Sequence, residues 1–258
     1  MNTVQTSIKD RIAIIKINRA KQLNSLSMEV LADLKEEFKI VEQNDGVGVI
    51  ILTGEGDKAF IAGADIKEMS TLSVKEAEAY AIKGQSLTTC IENFPKPVIA
   101  AINGFALGGG CEFAMACHIR YASETAQLGQ PEVGLGLIAG FGGTQRLPRL
   151  VGKGRALEIL LSGGMLSAQD AKGMGLVNAI FPQESLIEEC LKLASKILRN
   201  APIAIRETIF SVNEGLDLSL EGGLKQEAQR FGAIFESEDQ TEGTTAFVEK
   251  RPASFTGK

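Results

Sequence analysis

The segment PVIAAINGFALGGGCEFAMAC (residues 97–117) decides the fold, because it joins a buried strand to a buried helix through glycine. Its first part, VIAAIN (98–103), is an uninterrupted apolar run that predicts a buried strand. Gly108–Gly110 predict a tight turn, and the residues after them predict a helix that begins near Gly109. A helix start of this kind presents free backbone N–H groups and the positive end of the helix dipole. It therefore suits a phosphate, a carboxylate or a transient oxyanion.

The same segment has about the length of a membrane span, and only Asn103 and Glu112 are clearly polar in it. An acid inside a spanning helix costs about 2.5–3.5 kcal/mol on insertion scales. Three adjacent glycines would also loosen such a helix near its middle. We therefore predict a buried strand, turn and helix, and no membrane association.

The surrounding chain repeats the order strand, strand, helix with short connections. Alternating and continuous apolar runs predict the strands, and an apolar stripe or a capping box predicts the helices. The predicted strands are 3–8, 11–18, 47–53 and 98–103, and the predicted helices are 27–44 and the segment from Ser73 to about Ile91. This order indicates an α/β core with parallel strand pairing.

Beyond about residue 183 the pattern becomes helical, with no strand between the helices. The three helical stretches are ESLIEECLKLASKILRN, PIAIRETIFSVNEG and DLSLEGGLKQEAQRFGAIFES. Their apolar faces cannot be buried within one isolated helix, so we expect them to dock on the core or on another subunit.

Composition excludes several classes of protein. The chain has 258 residues, of which 44% are hydrophobic and 23% charged, as in an ordinary globular protein rather than a disordered one. The net charge of −5 speaks against a nucleic-acid partner. The four cysteines lack metal-ligand spacing and no signal peptide is recognisable, so we expect a cytoplasmic protein without a metal site.

Motif searches find no signature of phosphate binding or of a serine hydrolase. No phosphate-binding G-x-x-x-x-G-K-[ST] and no G-x-S-x-G occurs, and GLGLIA (134–139) does not follow a predicted strand. The only histidine, His118, lies at the far end of the predicted helix, so acid–base work falls to carboxylates, cysteines, lysines or tyrosines. Among these groups, Glu112 and Glu132 are two acids that could handle protons on either side of an activated carbonyl compound. Either also has a structural interpretation, as a first-turn acid that stabilises a helix dipole or as a solvated turn residue.

Four segments together resemble the crotonase (enoyl-CoA hydratase) superfamily in sequence, order and spacing. They are AFIAGADIKEM (59–69), AINGFALGGGCEFAMACHIRYAS (101–123), GQPEVGLGLIAGFGGTQRLPRLVG (129–152) and AFVEKR (246–251). The resemblance covers essentially the whole chain and looks strongest to the short-chain enoyl-CoA hydratases. It implies a spiral of β-β-α turns over residues 1–195 and a C-terminal helical region over 196–258 that assembles trimers or dimers of trimers.

The resemblance also implies roles for individual residues. The backbone N–H groups of Ala64 and Gly109 would form an oxyanion hole for the thioester carbonyl oxygen. Glu112 and Glu132 would hold the water between them, with Glu112 as its base and Glu132 handling the proton at C2, although the family does not divide these roles cleanly. Gly140 would supply a further N–H donor to the water. The residues that would line the acyl-CoA are Lys21, Gln22, Leu23, Ala62, Ala64, Asp65, Ile66 and Lys67.

The chain departs from the family pattern at four positions. Ala20 and Ala139 stand where the family often has proline, Gln22 where a small residue is usual, and His118 where an aspartate is frequent. The first two substitutions predict a less rigid CoA loop and a less rigid turn at Gly140. None of the four affects the two glutamates.

The expected function is reversible syn hydration of a trans-2-enoyl-CoA to a 3-hydroxyacyl-CoA, without a metal or redox cofactor. Two alternatives keep the same site: a methylglutaconyl-CoA hydratase or an enoyl-CoA isomerase. A third alternative, a non-catalytic CoA- or RNA-binding subunit, is disfavoured by the acidic balance of the chain.

Overall fold

The computed structural model describes residues 2–258, and the chain begins with a β-hairpin. Strand β1 (Val4–Lys9) pairs with β2 (Ile12–Ile17) in antiparallel register. Asp10 and Arg11, which join them, both have positive φ, at 50° and 63°. A two-residue connection of this kind can only reverse the chain, so the expectation of parallel pairing is wrong for this pair.

In the rest of the core, short strands alternate with helices along the chain. The remaining strands are β3 (Val49–Gly54), β4 (Ala59–Ala62), β5 (Val98–Ile102), β6 (Phe105–Leu107), β7 (Ile119–Ser123), β8 (Gln127–Gly129), β9 (Met165–Ser167) and β10 (Ala179–Phe181). The core helices are α1 (Met28–Glu42), α2 (Ile66–Met69), α3 (Val74–Glu92), α4 (Gly109–Ala116), α5 (Gly143–Val151), α6 (Lys153–Ser162), α7 (Ala168–Gly173) and α8 (Leu186–Ile197).

Two sheets form because successive strands alternate between them. One sheet has the order β1-β2-β3-β5-β7-β10 and the other the order β4-β6-β8-β9. The pairs β3/β4, β5/β6 and β7/β8 each place one strand in each sheet before the chain enters a helix. This is the predicted spiral of β-β-α turns. Pairing is parallel throughout except in the β1–β2 hairpin and at β8–β9.

The central strands β3 and β5 of the larger sheet are buried on both faces, which is why they are nearly continuous apolar runs. Ile50 and Leu52 of β3 point to the main core beside α1, α3 and α4. Val49 and Ile51 point to the opposite face, where α8 covers them with Leu186, Cys190 and Ala194. α8 therefore packs as part of the core, and the predicted division after residue 195 falls in its last turn.

The predicted helix starts agree with the observed caps. Ser27 accepts a hydrogen bond from Val30 N at the start of α1. Ser73 and Glu76 form the capping box at the start of α3. The predicted strand and helix bounds otherwise lie within about two residues of the observed ones, because terminal residues fray.

Three further helices complete the chain: α9 (Pro202–Gly215), α10 (Leu220–Ile234) and α11 (Glu238–Glu249). They expose large apolar side chains, including Val212, Leu220, Phe231 and Phe247. The apolar pattern did not predict α11, whose segment EDQTEGTTAFVE has few apolar residues. It is held instead by its Ser237 cap and by the C-terminal residues, since buried Asp239 accepts hydrogen bonds from the N–H groups of Thr256 and Gly257.

No helix within residues 2–258 is long and apolar enough to span a membrane.

Candidate active site

The glycine run at 108–110 joins β6 of the smaller sheet to α4. Gly108 caps α4 with φ +51° and ψ −123°, a combination that residues with a side chain rarely adopt. A Cβ atom on Gly110 would overlap the carbonyl oxygen of Ile61 in β4. The three glycines thus let α4 begin directly against the backbone of the smaller sheet.

Glu112 is buried in the first turn of α4, with 2% of its surface exposed. Its Oε1 atom accepts two backbone hydrogen bonds, from Phe141 N at 2.7 Å and from Gly143 N at 2.6 Å. Both donors lie in the glycine-rich segment at the start of α5, 29 and 31 residues along the chain from Glu112. A buried carboxylate with two aimed N–H donors is held in one orientation, as an acid–base group requires.

Burial raises the pKa of Glu112 to about 7, and the nearby carboxylate of Glu132 adds to the rise. The hydrogen bonds from Gly143 and Phe141 and the charge of Arg146 act in the opposite direction. Desolvation prevails because the carboxylate loses nearly all of its water. Glu112 can therefore both take up and release a proton near neutral pH.

Glu132 approaches the same place from the other side of the glycine turn. It opens a short 3-10 turn, Glu132–Leu135, and is half-buried. Its Oε1 atom would lie only 2.9 Å from a Cβ on Gly108. Burial raises the pKa of Glu132 as well. With its amide nitrogen turned toward Glu132, buried Gln130 donates to both carboxylate oxygens, at 3.1 and 3.2 Å.

The backbone N–H groups of Ala64, Gly109 and Gly140, which lie near the glutamates, have no acceptor among residues 2–258. The parallel pairing of Ala62 with Leu107 brings the first two segments side by side. Gly63 Cα lies 3.9 Å from the Cβ position of Gly108. Free N–H donors beside a helix N-terminus are suited to stabilising a developing oxyanion.

The residues expected to line the acyl-CoA fall on two adjacent loops. Leu23 accepts a hydrogen bond from Ala62 N at 3.0 Å, which joins the loops. The side chains of Lys21, Gln22, Ile66 and Lys67 are exposed there. Asp65 has structural contacts as well, since it caps α2 through Lys67 N and lies 3.5 Å from Arg19 Nη2.

The four departures from the family pattern do not disturb these contacts. His118 Nδ1 accepts a hydrogen bond from Val98 N, so Nε2–H donates to the carbonyl of Glu92. Burial lowers the pKa of His118, which keeps it neutral in this role. Ala139 is buried beside the Gly140 turn, while Ala20 and Gln22 are exposed at the surface.

Several residues that build the site were missed by sequence reasoning. Phe141 and Gly143 hold Glu112, yet the family resemblance implied a role only for Gly140 in GFGGTQR (140–146). Buried Asn24 accepts from Arg19 N and donates to the carbonyls of Glu55 and Ala59, which ties the 20–23 loop to the core. An asparagine flanked by turn residues is the only local signal for such a role.

The arrangement supports proton transfer and oxyanion stabilisation. Within residues 2–258 no cluster of three or more histidine, cysteine or acidic side chains is arranged to hold a metal ion. Two carboxyl groups with raised pKa values flank free N–H donors. Such a site can move protons next to a carbonyl compound whose oxygen gains negative charge.

Comparison with known proteins agrees with this geometry. The family described as enoyl-CoA hydratase/isomerase matches residues 7–258. The chain is 46% identical over 250 residues to crotonyl-CoA hydratase from Syntrophomonas wolfei, covering 97% of this chain and 96% of that protein. It is 43% identical over 251 residues to short-chain-enoyl-CoA hydratase from Clostridium acetobutylicum, with the same coverage of 97% and 96%.

The fold of this chain also matches that of a solved structure. The crystal structure of enoyl-CoA hydratase from Bacillus anthracis superposes with a TM-score of 0.95 at 40% identity, over 99% of this chain and all of that one. The family match, the sequence identities and the superposition each extend over nearly the whole chain. The chain therefore belongs to the enoyl-CoA hydratase/isomerase family.

Proposed function

We propose that this protein is an enoyl-CoA hydratase that adds water reversibly to short trans-2-enoyl-CoA thioesters, giving 3-hydroxyacyl-CoA products. The observation that carries the proposal is the pair of carboxyl groups on Glu112 and Glu132 beside three unoccupied backbone N–H groups. The relatives named for crotonyl-CoA and short-chain enoyl-CoA support a short substrate.

In the proposed mechanism the N–H groups of Ala64 and Gly109 bind the thioester carbonyl oxygen. As the carbonyl gains enolate character, these two hydrogen bonds strengthen and lower the barrier. Removal of one such donor in other enzymes costs about 2.7–4 kcal/mol of transition-state stabilisation. The donors are part of the backbone of a strand end and a helix start, so they are held rigidly before substrate binds.

The two glutamates carry out the proton transfers. Glu112, as carboxylate, removes a proton from water while the water oxygen forms the bond to C3. Glu132, as carboxylic acid, gives a proton to C2 as the double bond is lost. Glu112 then holds one proton more and Glu132 one fewer than before, and exchange with solvent restores both. Gly140 N–H would orient the water, and the loops at 20–23 and 62–67 would hold the CoA.

The proposal includes three statements about the working protein. The acyl-CoA thioester is the substrate, and the reaction needs no separate cofactor. The exposed apolar side chains on α9–α11 support a homotrimer or a dimer of trimers, and a monomeric mass in sedimentation would contradict it. The four free cysteines fit a reducing, cytoplasmic location, which fractionation of the native host would test.

Product analysis tests the reaction class. Crotonyl-CoA, a 3-enoyl-CoA and a branched, acid-bearing enoyl-CoA are each incubated with the protein and the products are identified. We expect 3-hydroxybutyryl-CoA from crotonyl-CoA as the fastest conversion. Faster migration of the double bond in the 3-enoyl-CoA would instead make the protein an isomerase, and preference for the branched thioester would change the substrate.

A further inference from the structure

The segment 141–143, whose N–H groups hold the Glu112 carboxylate, is itself held by Arg146 of α5. Arg146 Nη1 donates to the carbonyl oxygen of Phe141 at 3.0 Å and to Thr88 Oγ1 at 3.1 Å. Thr88 Oγ1 donates to the same carbonyl at 2.9 Å. A Cβ atom on Gly142 would overlap Arg146 Nη1. The guanidinium therefore packs directly on the backbone of the segment.

The other side of the guanidinium is fixed by Glu92 at the end of α3. Arg146 Nε lies 3.1 Å from Glu92 Oε1, and Nη2 lies 2.7 Å from Oε2. The carbonyl of Glu92 in turn accepts hydrogen bonds from His118 Nε2 and from Asn213 of α9. The Arg146 side chain is 12% exposed. A bidentate pair of this kind fixes the plane of the guanidinium as well as its position.

The position of the held carbonyl explains what this contact does. Phe141 N–H and Gly143 N–H, the two donors to Glu112, belong to the peptide groups before and after the one that carries the Phe141 carbonyl. Each flanking peptide is joined to the middle one at a single Cα atom, that of Phe141 or that of Gly142, and has only the two soft dihedral angles there. With the oxygen of the middle peptide held, a flanking N–H can turn away from Glu112 only through the angles at that one Cα, so the contact restricts both donors.

We propose that Arg146, anchored by Glu92, is a positioning residue for catalysis: it locks the Phe141–Gly142 peptide so that both flanking N–H groups stay aimed at the Glu112 carboxylate. This inference rests on the proposed function, in which Glu112 takes the proton from water. Arg146 touches no reacting atom in this scheme and acts only through the segment.

The charge of Arg146 gives the proposal a distinctive readout. Its charge lowers the pKa of Glu112, as do the two N–H donors that it positions. The groups that act against them are the carboxylate of Glu132 and burial itself. The neighbouring phenol of Tyr80 and thiol of Cys111 stay neutral, since burial raises the pKa of each. Loss of Arg146 therefore moves the titration of Glu112 to higher pH, whereas a general loss of stability that leaves the segment and the charge in place would not move it.

The first experiment measures kcat and KM for crotonyl-CoA over pH with Arg146→Gln, Arg146→Lys and the control Arg149→Gln. Arg149 lies on the same helix, is exposed, and contacts neither Phe141 nor Glu92. We expect Arg146→Gln to lower kcat roughly tenfold to a hundredfold, with KM nearly unchanged and the acid limb of the profile at higher pH. Arg146→Lys keeps the charge, so it should recover part of kcat and leave the acid limb near its original position.

The second experiment does not depend on activity. Infrared absorption of the protonated Glu112 carboxyl, identified by its absence in Glu112→Gln, is titrated in the intact protein. Arg146→Gln should move this titration to higher pH, and Arg149→Gln should not. An unmoved titration, or a pH profile of Arg146→Gln that matches the Arg149→Gln control, would overturn the proposal.

The two experiments also separate this inference from the proposed function. A wild-type protein without hydratase activity would refute the function, while the infrared titration still decides whether Arg146 controls Glu112. Glu92→Gln tests the anchor, because it leaves the Arg146 charge in place but removes the bidentate pair. A kcat equal to that of wild type in Glu92→Gln would remove Glu92 from the proposal.

Discussion

The Oε1 atom of Glu132 packs against Gly108, where a Cβ atom would lie only 2.9 Å from it. The acid and the glycine turn therefore occupy one site: the turn that starts α4 leaves the space into which Glu132 reaches. The same glycine has φ +51° and ψ −123°, so both its conformation and its empty side-chain position are required.

Replacement of Gly108 tests this relationship. Gly108→Ala should destabilise the protein by about 1–3 kcal/mol, since alanine is strained in this conformation. It should also lower kcat, because the methyl group displaces the Glu132 carboxylate. Urea unfolding and crotonyl-CoA kinetics measure the two effects. Gly134→Ala is a suitable control, because a Cβ there meets no atom within 4 Å. Normal kcat in Gly108→Ala would show that Glu132 does not need this space.

Glu112→Gln should stabilise the folded protein near neutral pH while abolishing activity. Folding raises the pKa of Glu112 from 4.5 to about 7, so deprotonation above the lower value costs the folded state roughly 3 kcal/mol at most. That penalty grows between pH 4.5 and 7 and is constant above. An amide removes it.

Urea unfolding at fixed protein concentration measures the gain. We expect Glu112→Gln to exceed wild type by about 1–3 kcal/mol at pH 8 and by little at pH 4.5. A variant that is less stable than wild type at pH 8 would mean that the hydrogen bonds from Phe141 and Gly143 outweigh the desolvation of the carboxylate.

The pH dependence of hydration should follow the same group. Because Glu112 must be ionised to take the proton from water, kcat/KM should fall as the pH drops below about 7. It should fall again where Glu132 loses the proton that it gives to C2, and burial raises the pKa of that carboxyl too. Initial rates over a broad pH range at constant ionic strength measure both limbs. A rate that does not fall between pH 7 and 5 would contradict the proposed role of Glu112.

Asn24 should govern substrate binding rather than the chemical step. Asn24→Ala removes the side chain that joins the 20–23 loop to the carbonyls of Glu55 and Ala59. Leaving these buried groups without partners costs about 2–4 kcal/mol of stability.

We expect KM for crotonyl-CoA to rise in Asn24→Ala with kcat within about threefold of wild type. Asn44→Ala is the matched control, because the Asn44 side chain makes only a local hydrogen bond to Gly46 N. A fall in kcat with unchanged KM would place Asn24 with the acid–base groups instead.

The parts of the fold that sequence could predict are those set by local pattern. Ser73 and Glu76 announce α3 because both halves of a capping box lie within one turn. Gly108–Gly110 predict the start of α4 because the strand, the turn and the helix follow one another directly in the sequence. The pairing of Glu112 with Phe141 and Gly143 was not predictable in this way, since the donors lie 29 and 31 residues from the acceptor.

The division of the strands between two sheets could not be predicted from local pattern either. Val49–Gly54 and Ala59–Ala62 are both buried runs, and nothing in their composition shows that they enter different sheets. Arg146 and Glu92 pair across two helices although they are 54 residues apart in the sequence. Taken singly, an arginine and a glutamate on a helix are expected to be surface residues. Family resemblance supplied the expected donors Ala64 and Gly140, and the expected role of Glu132, which physical patterns alone had left open.

The most direct measurement is the loss of ultraviolet absorbance of crotonyl-CoA on hydration, compared between wild type, Glu112→Gln and Glu124→Gln. Glu124 is an exposed acid outside the site and serves as the control. We expect rapid loss with wild type and Glu124→Gln, and a rate at least about a hundredfold lower with Glu112→Gln. Hydration by Glu112→Gln at the wild-type rate would contradict the claim that this buried carboxylate activates the water.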